Sequence, residues 1–298
     1  MATNYATQYQ EALDQPFKTR LSFERLYSYD LTSTRNFRFV RGKTVEISTL
    51  SVDGMVDVDR DNIEWASRNH SNTWEAYTLD HDREFSTAID PADIDETNMV
   101  YSVANISSTF LREELIPEMD KYMASKLYAD IDESGVDIDD TAITDGDSAL
   151  GVFDSLMEEM DNKEVPYEGR VCYVIPAVHR YLKDALNASR SLGRTTSTTD
   201  VNRMINRLDE VELVKVAPQR MKSAYDFTQG AEPATDAEQI QMIIAHPESI
   251  IAPFKIDQAL VDEPTAASKG KYPYYQRQYW DVFVLSQKVD GVQINAVD

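Results

Sequence analysis

The sequence predicts an α+β fold built from an arm, a long β-hairpin, a strut helix, an α/β unit and a returning β tail. Three observations predict it. Strand-like and helix-like runs alternate between Thr144 and Phe254, as in an α/β unit. Apolar residues recur at intervals of three to five from Asn98 to Ile131, the pattern of one long amphipathic helix. Between Gly42 and Ile89, two β-prone runs flank a polar stretch too long for a tight turn.

Residues Met1 to Arg41 carry six basic and four acidic side chains and no glycine. Their weak periodicity reads as an extended arm with short helical pieces. In the hairpin, KTVEISTL alternates around Val45 and Ile47. The run WEAYTLDHDREFSTAI forms the other side, with Trp74, Ala76 and Thr78 on one face and Tyr77 and Leu79 on the other. Such a hairpin has little core of its own and needs cover from outside. Asp90-Pro91 suits a helix start. The strut over 98–131 would be about 50 Å long, and Pro117 should kink it.

Leu127 to Asn162 holds twelve acidic residues and no Lys or Arg. Its second half reads as a helix capped near Asp147, with Leu150, Phe153, Leu156, Met157 and Met160 on one face. Then follow a buried strand (Val171 to Ile175), a helix (AVHRYLKDALNAS), a Ser/Thr-rich loop, a short helix (VNRMINRL) and two strands (VELVKVAP, IQMIIAHP). Arg170 to Lys222 has ten basic and five acidic residues, a net of +5. In the tail, Ile256 to Val261 reads as a strand, TAASKGKYPYYQRQ as a loop, and YWDVFVLSQKVDGVQI as two strands turning at Asp290-Gly291. No repeat is visible.

Composition bounds the function. The chain has 298 residues, 42% of them hydrophobic, and a net charge of −23. That charge excludes a uniformly basic nucleic-acid module and docking on anionic lipid. A compact monomer of this mass would expose roughly 13,000 Å². One cysteine, Cys172, excludes an intrachain disulfide and a cysteine-based zinc site. There is no signal-peptide pattern and no transmembrane run, so the chain reads as soluble and made in the cytoplasm.

Phosphate-loop, dinucleotide, zinc-protease and nucleophile-elbow motifs are all missing. His70, His81, His179 and His246 are dispersed. The run His81-Asp82-Arg83-Glu84 reads as a solvated strand face, and His179 as a surface residue. DIDESG from Asp130 resembles the start of a calcium loop, but Thr141 stands at position 12 and Asp137 at position 8. DVDRDN from Asp57 lacks the glycine and has Arg68 at position 12. Neither is taken as a metal site. No cofactor and no catalytic residue is expected. The Tyr-rich run KYPYYQRQYW reads as interface material rather than a base-stacking platform. The classes left are a structural assembly protein, a nucleic-acid-packing protein and, behind both, an acidic hydrolase.

The order of segments makes a poor monomer and a good tile. It resembles the major capsid proteins of tailed bacteriophages, the Hong Kong 97-type fold. The stretches carrying the resemblance are FLREELIPEMDKYMASKL, EVPYEGRVCYVIPAVHRYLK, LDEVELVKVAPQRM, IQMIIAHPESIIAPFK and QYWDVFVLSQKVDGVQI. The resemblance implies an N-arm at 1–41, an E-loop at 42–89, a peripheral domain at 90–143 plus 255–298 with the spine helix at about 98–131, and an axial domain at 144–254. It implies hexamers and pentamers closing an icosahedral shell around double-stranded DNA, held without sequence-specific contact. Portal and decoration proteins are further implied partners. The E-loop begins within about 42 residues of Met1, so a separate scaffolding protein, or none, is expected. Lys43 lies at the hairpin base and no lysine lies between Thr44 and Lys121, so no Lys–Asn cross-link is expected. Subunit contacts are expected at Phe17, Arg25 and Tyr27 in the arm, at Asp57, Asp59, Asp61 and Trp65 in the hairpin tip, and at Arg190, Arg194, Arg203 and Arg207 in the basic stretch. The acidic and basic stretches are expected to meet across neighbouring subunits, with pairing inside the chain as the alternative.

Overall fold

The computed structural model describes residues 20–28, 37–40, 42–55, 70–96, 103–190 and 205–297. In chain order its elements are α1 (Glu24–Ser28), β1 (Phe37–Val40), β2 (Thr44–Val52), β3 (His70–Thr78), β4 (His81–Ile89), α2 (Pro91–Glu96), α3 (Val103–Phe110), a π turn (Leu111–Leu115), α4 (Ile116–Ser134), α5 (Gly146–Asn162), β5 (Val171–Val174) and α6 (Pro176–Arg190). After them come β6 (Arg207–Leu208), β7 (Val211–Lys215), β8 (Tyr225–Asp226), β9 (Glu232–Pro233), β10 (Gln239–Ala245), β11 (Ile250–Ile251), β12 (Phe254–Val261), β13 (Tyr272–Trp280), β14 (Phe283–Val284) and β15 (Val292–Val297).

The main core lies on a five-stranded sheet of order β15-β10-β5-β7-β6. β5 and β7 are parallel and joined through α6, whereas β10 runs antiparallel to both β5 and β15. All four residues of β5 are buried, as expected of a central strand covered on both faces. α5 begins at a capping box: the Asp145 carboxylate accepts the Ser148 N–H at 2.8 Å, and Ser148 Oγ accepts the Asp145 N–H at 3.0 Å. The cap is therefore Asp145 and not Asp147. Its apolar face, with Phe153, Leu156 and Met160, is sealed into this core. Each such side chain contributes about 1.5–3 kcal/mol by leaving water.

The strut is realised as α3, the π turn and α4. Residues 98–102 of the expected helix lie outside the described residues. The kink expected at Pro117 takes the form of the π turn just ahead of it, where the Ile116 N–H donates to Leu111 O, five residues back. Proline has no N–H and its ring crowds the carbonyl four residues earlier, and a widened turn absorbs that misfit. α4 ends at Gly135, whose φ of 76° supplies the left-handed cap.

Several expectations are corrected. The second hairpin side is two strands. β3 pairs with β2, but the chain turns at Leu79-Asp80 and β4 pairs with β13 in another sheet, of order β12-β13-β4. The segment expected as a loop before Trp280 is β13 from Tyr272 onward, and Tyr274, Tyr279 and Trp280 are buried within the chain rather than offered to a partner. Asp290-Gly291 ends a 3-10 helix (Ser286–Gly291), not a hairpin turn. β14 pairs with β11, and β15 leaves the tail to complete the main sheet beside β10. Arg207 and Leu208, read as helix, form β6. His179 is half-buried, with Nε2 3.1 Å from Ile205 O.

Candidate assembly surfaces

The hairpin β2–β3 is rooted in a small second core. Val45, Ile47 and Leu79 pack with Ile251, Tyr279, Phe283 and Leu285. The corner between β3 and β4 is held by polar contacts as well. The Leu79 N–H donates to Lys43 O at 2.8 Å, and Leu79 O accepts the Tyr279 hydroxyl at 2.8 Å. The Asp80 N–H donates to Asp281 Oδ2 at 2.8 Å, while Asp281 Oδ1 accepts the Tyr122 hydroxyl at 2.6 Å and the Val282 N–H at 2.8 Å. Asp281 is buried, and its two oxygens accept all three of these groups. One carboxylate thus ties hairpin, strut and tail together. Burial beside that carboxylate raises the Tyr122 hydroxyl far above its usual range.

Beyond its root the hairpin has two unlike faces. The register pairs Thr49 with Thr73 and Ser51 with Ser71 on one face, and their hydroxyls meet at 2.6 Å in each pair. The opposite face pairs Ser48 with Trp74, Leu50 with Asn72 and Val52 with His70. There Leu50 is 68% exposed, Val52 70% and Trp74 44%. Strand alternation produces this division directly.

The strut presents a second polar junction. His81 is 7% exposed, stacked on Tyr122 at 3.8 Å and edge-on to Trp280 at 4.5 Å. Its Nε2 lies 3.4 Å from Glu118 Oε1. Arg83 donates to the same carboxylate at 2.6 Å and to Gly230 O at 3.2 Å. Burial pushes the Glu118 carboxyl up, but His81 and Arg83 outweigh burial and hold it below the ordinary range. His81 and Arg83 therefore face the interior, contrary to the expected solvated face. Asp82 and Glu84, on the other side of the strand, are exposed, and Asp82 forms a two-point pair with Arg277.

The segment 20–28 is clamped to the main core. Asp120, fully buried, accepts the Ser22 and Phe23 N–H groups at 2.8 and 3.1 Å and pairs with Arg220 at 2.6 Å. Phe23 and Leu26 sit inside the core, with the Phe23 ring 4.4 Å from that of Tyr173. Of the residues expected at subunit contacts, Arg25 pairs with Glu212 of its own chain at 2.8 Å, and the Tyr27 hydroxyl donates to Met119 O at 2.9 Å. Arg207 is exposed on β6, an edge strand. Phe17, Asp57, Asp59, Asp61, Trp65, Arg194 and Arg203 lie outside the described residues, and for Arg190 only the backbone, at the end of α6, is described. Among the described residues, one pair joins the acidic and basic stretches inside the chain: Arg170, wholly buried, donates to Asp161 at 2.7 Å. Asp130, the first residue of the calcium-like run, lies inside α4. It is engaged by Lys126 at 2.9 Å and by the Val284 N–H at 3.0 Å.

Sequence reasoning missed Asp120, Asp281, Glu118 and His81. The one signal was a single acid within an apolar run, as at Asp281 in YWDVFVL.

An anchored segment, a two-faced hairpin and a mixed body define the architecture. No protein-family model matches the chain, and no curated protein matches it. Solved structures do. The mature capsid of bacteriophage PhiM1 is 14% identical, with a TM-score of 0.67 over 96% of this chain and 89% of that one. The capsid of Cyanophage P-SCSP1u is 15% identical, with a TM-score of 0.67 over 96% and 90%. A chain from Mycobacterium phage Che8 is 16% identical, with a TM-score of 0.61 over 95% and 93%. The chain has the fold of tailed-phage major capsid proteins.

Proposed function

We propose that the chain is a major capsid protein, a structural and non-enzymatic subunit of a virion shell. Copies assemble into hexamers and pentamers that close an icosahedral shell around double-stranded DNA. A separate scaffolding protein, a portal and decoration proteins act as partners. The observation that carries this reading is the likeness to the PhiM1 mature capsid along almost the whole of both chains. In this reading 1–41 is the N-arm, 42–89 the E-loop, 90–143 with the tail the Hong Kong 97-type peripheral domain, and 144–254 the axial domain, whose sheet β15 completes.

The apolar hairpin face of Leu50, Val52 and Trp74 supports the proposal. A tile makes heterologous contacts, one patch meeting a different patch on the next copy, and closure into rings gives capsomers. The hairpin face is buried on a neighbour in this scheme, and Arg25, Tyr27, Arg207 and the hairpin tip lie at or near such contacts. Acidic and basic stretches of neighbouring axial domains add register. Electron microscopy of the purified protein tests the reading. Closed shells are the expected result, and a stable monodisperse monomer under all assembly conditions overturns it.

A further inference from the structure

A cleft of about 1000 Å³ runs between β4, the strut and the 217–232 segment. Arg83, Glu84 and Phe85 all line it. Arg83 and Phe85 face it, whereas the Glu84 carboxylate lies on the opposite face of the strand against the Tyr275 hydroxyl, so between them the cleft adjoins the strand's backbone. β4 is an edge strand of the β12-β13-β4 sheet. Among the described residues, no backbone group pairs with its outer side. The cleft also has an apolar patch, where Phe85 stacks on Phe110 at 4.0 Å beside Pro117.

Its carboxylates outnumber its cations. Arg83 is neutralised by Glu118 and Arg220 by Asp120. The Lys121 ammonium donates to Ala231 O, which ties down the far wall. Glu113, Glu114 and Glu232 remain around the cleft, and none has an ion pair among the described residues.

We propose that this cleft binds an extended basic segment of a different polypeptide, which adds as a fourth strand along the outer edge of β4. Main-chain hydrogen bonds supply affinity, the Phe85–Phe110 patch takes an apolar side chain, and the glutamates select lysine or arginine at alternate positions. The inference stands apart from shell formation: it concerns a second protein, and its test uses unassembled subunits.

The probe is a nine-residue peptide of alternating lysine and valine, matched to the length of β4. Its binding to the full chain is read by calorimetry and by fluorescence anisotropy of a labelled copy. Saturable binding is expected. N-methylation of alternate backbone nitrogens, which removes strand pairing and keeps the charge, should weaken it roughly tenfold or more. The double variant Glu113→Gln/Glu114→Gln should weaken it by a similar factor with an unchanged melting temperature. Equal binding of the N-methylated peptide overturns strand addition in favour of surface charge alone. No saturable binding overturns the proposal outright. Displacement of a second copy of the chain by the peptide also overturns it, because the occupant is then another subunit.

Discussion

At the residue scale, Gly291 shows how a sequence signal can be right for the wrong reason. Asp290-Gly291 reads as a tight turn, yet the glycine is needed because the end of the 3-10 helix passes close to Ser249. A Cβ at Gly291 would lie 1.9 Å from Ser249 Oγ and 3.0 Å from Ser249 Cβ. Gly291→Ala should destabilise the chain by about 1–3 kcal/mol, the usual range for overpacking. Adding Ser249→Gly should restore most of the loss in a urea titration. Glu118 gives a pH-dependent counterpart. Its folded-state carboxyl is held below the ordinary range, so the stabilisation it provides is complete above its unfolded pKa of about 4.3. That stabilisation is lost as pH falls through the depressed folded value. Glu118→Gln should cost about 1–3 kcal/mol at pH 7 through the weakened Arg83 pair. Denaturation at both pH values is the check: the gap between wild type and variant should close toward pH 3, and a gap unchanged at pH 3 would show that Glu118 does not carry it.

At the element scale, the hairpin separates what pattern reveals from what it hides. Its rooted half was legible, because Val45 and Ile47 alternate with polar neighbours and are buried as that alternation requires. The break at Leu79-Asp80 was not, since β-prone residues continue across it and the corner is set by Asp281 and Tyr279, about 200 positions away. β13 was hidden for another reason. Its inward positions include Gln276 and Gln278, both buried, so the strand lacks the apolar alternation that marks a half-buried strand. The helices were easier: α5 and the strut bury apolar stripes of helical period, with the π turn and the α5 cap at Asp145 as their departures, whereas Arg207 and Leu208, read as helix, form a strand. The distal hairpin face yields a direct test. Leu50 and Val52 are mostly exposed, so the double variant Leu50→Ser/Val52→Ser should leave the melting temperature of the isolated subunit unchanged. Assembly, followed by light scattering and sedimentation, should fall sharply. A fall in subunit stability instead would place those side chains in an intrachain contact.

At the scale of the whole molecule, surface and charge act in opposite directions. The chain exposes 19118 Å², well above the roughly 13,000 Å² of a compact protein of its mass. That surface includes apolar area at Leu50, Val52, Leu260 and Val261, which favours association. The net charge of −23 opposes it, because like-charged copies repel as they approach. Opposed terms of this kind leave association conditional. Salt weakens the repulsion between exposed charges, whose range falls from about 30 Å at 0.01 M to about 8 Å at 0.15 M. Burial of apolar area is not screened in this way. Association of the purified subunit should therefore increase as sodium chloride is raised from about 0.01 M to about 0.5 M, with the steepest change where the screening length drops below the spacing of surface charges. Interfaces held mainly by charge pairs between the acidic 127–162 and basic 170–222 stretches would behave oppositely and dissociate over the same range. Sedimentation velocity across the salt series reads the sign. A rise in assembled mass assigns the dominant drive to the hairpin and the other apolar surfaces, and a fall assigns it to the charge blocks.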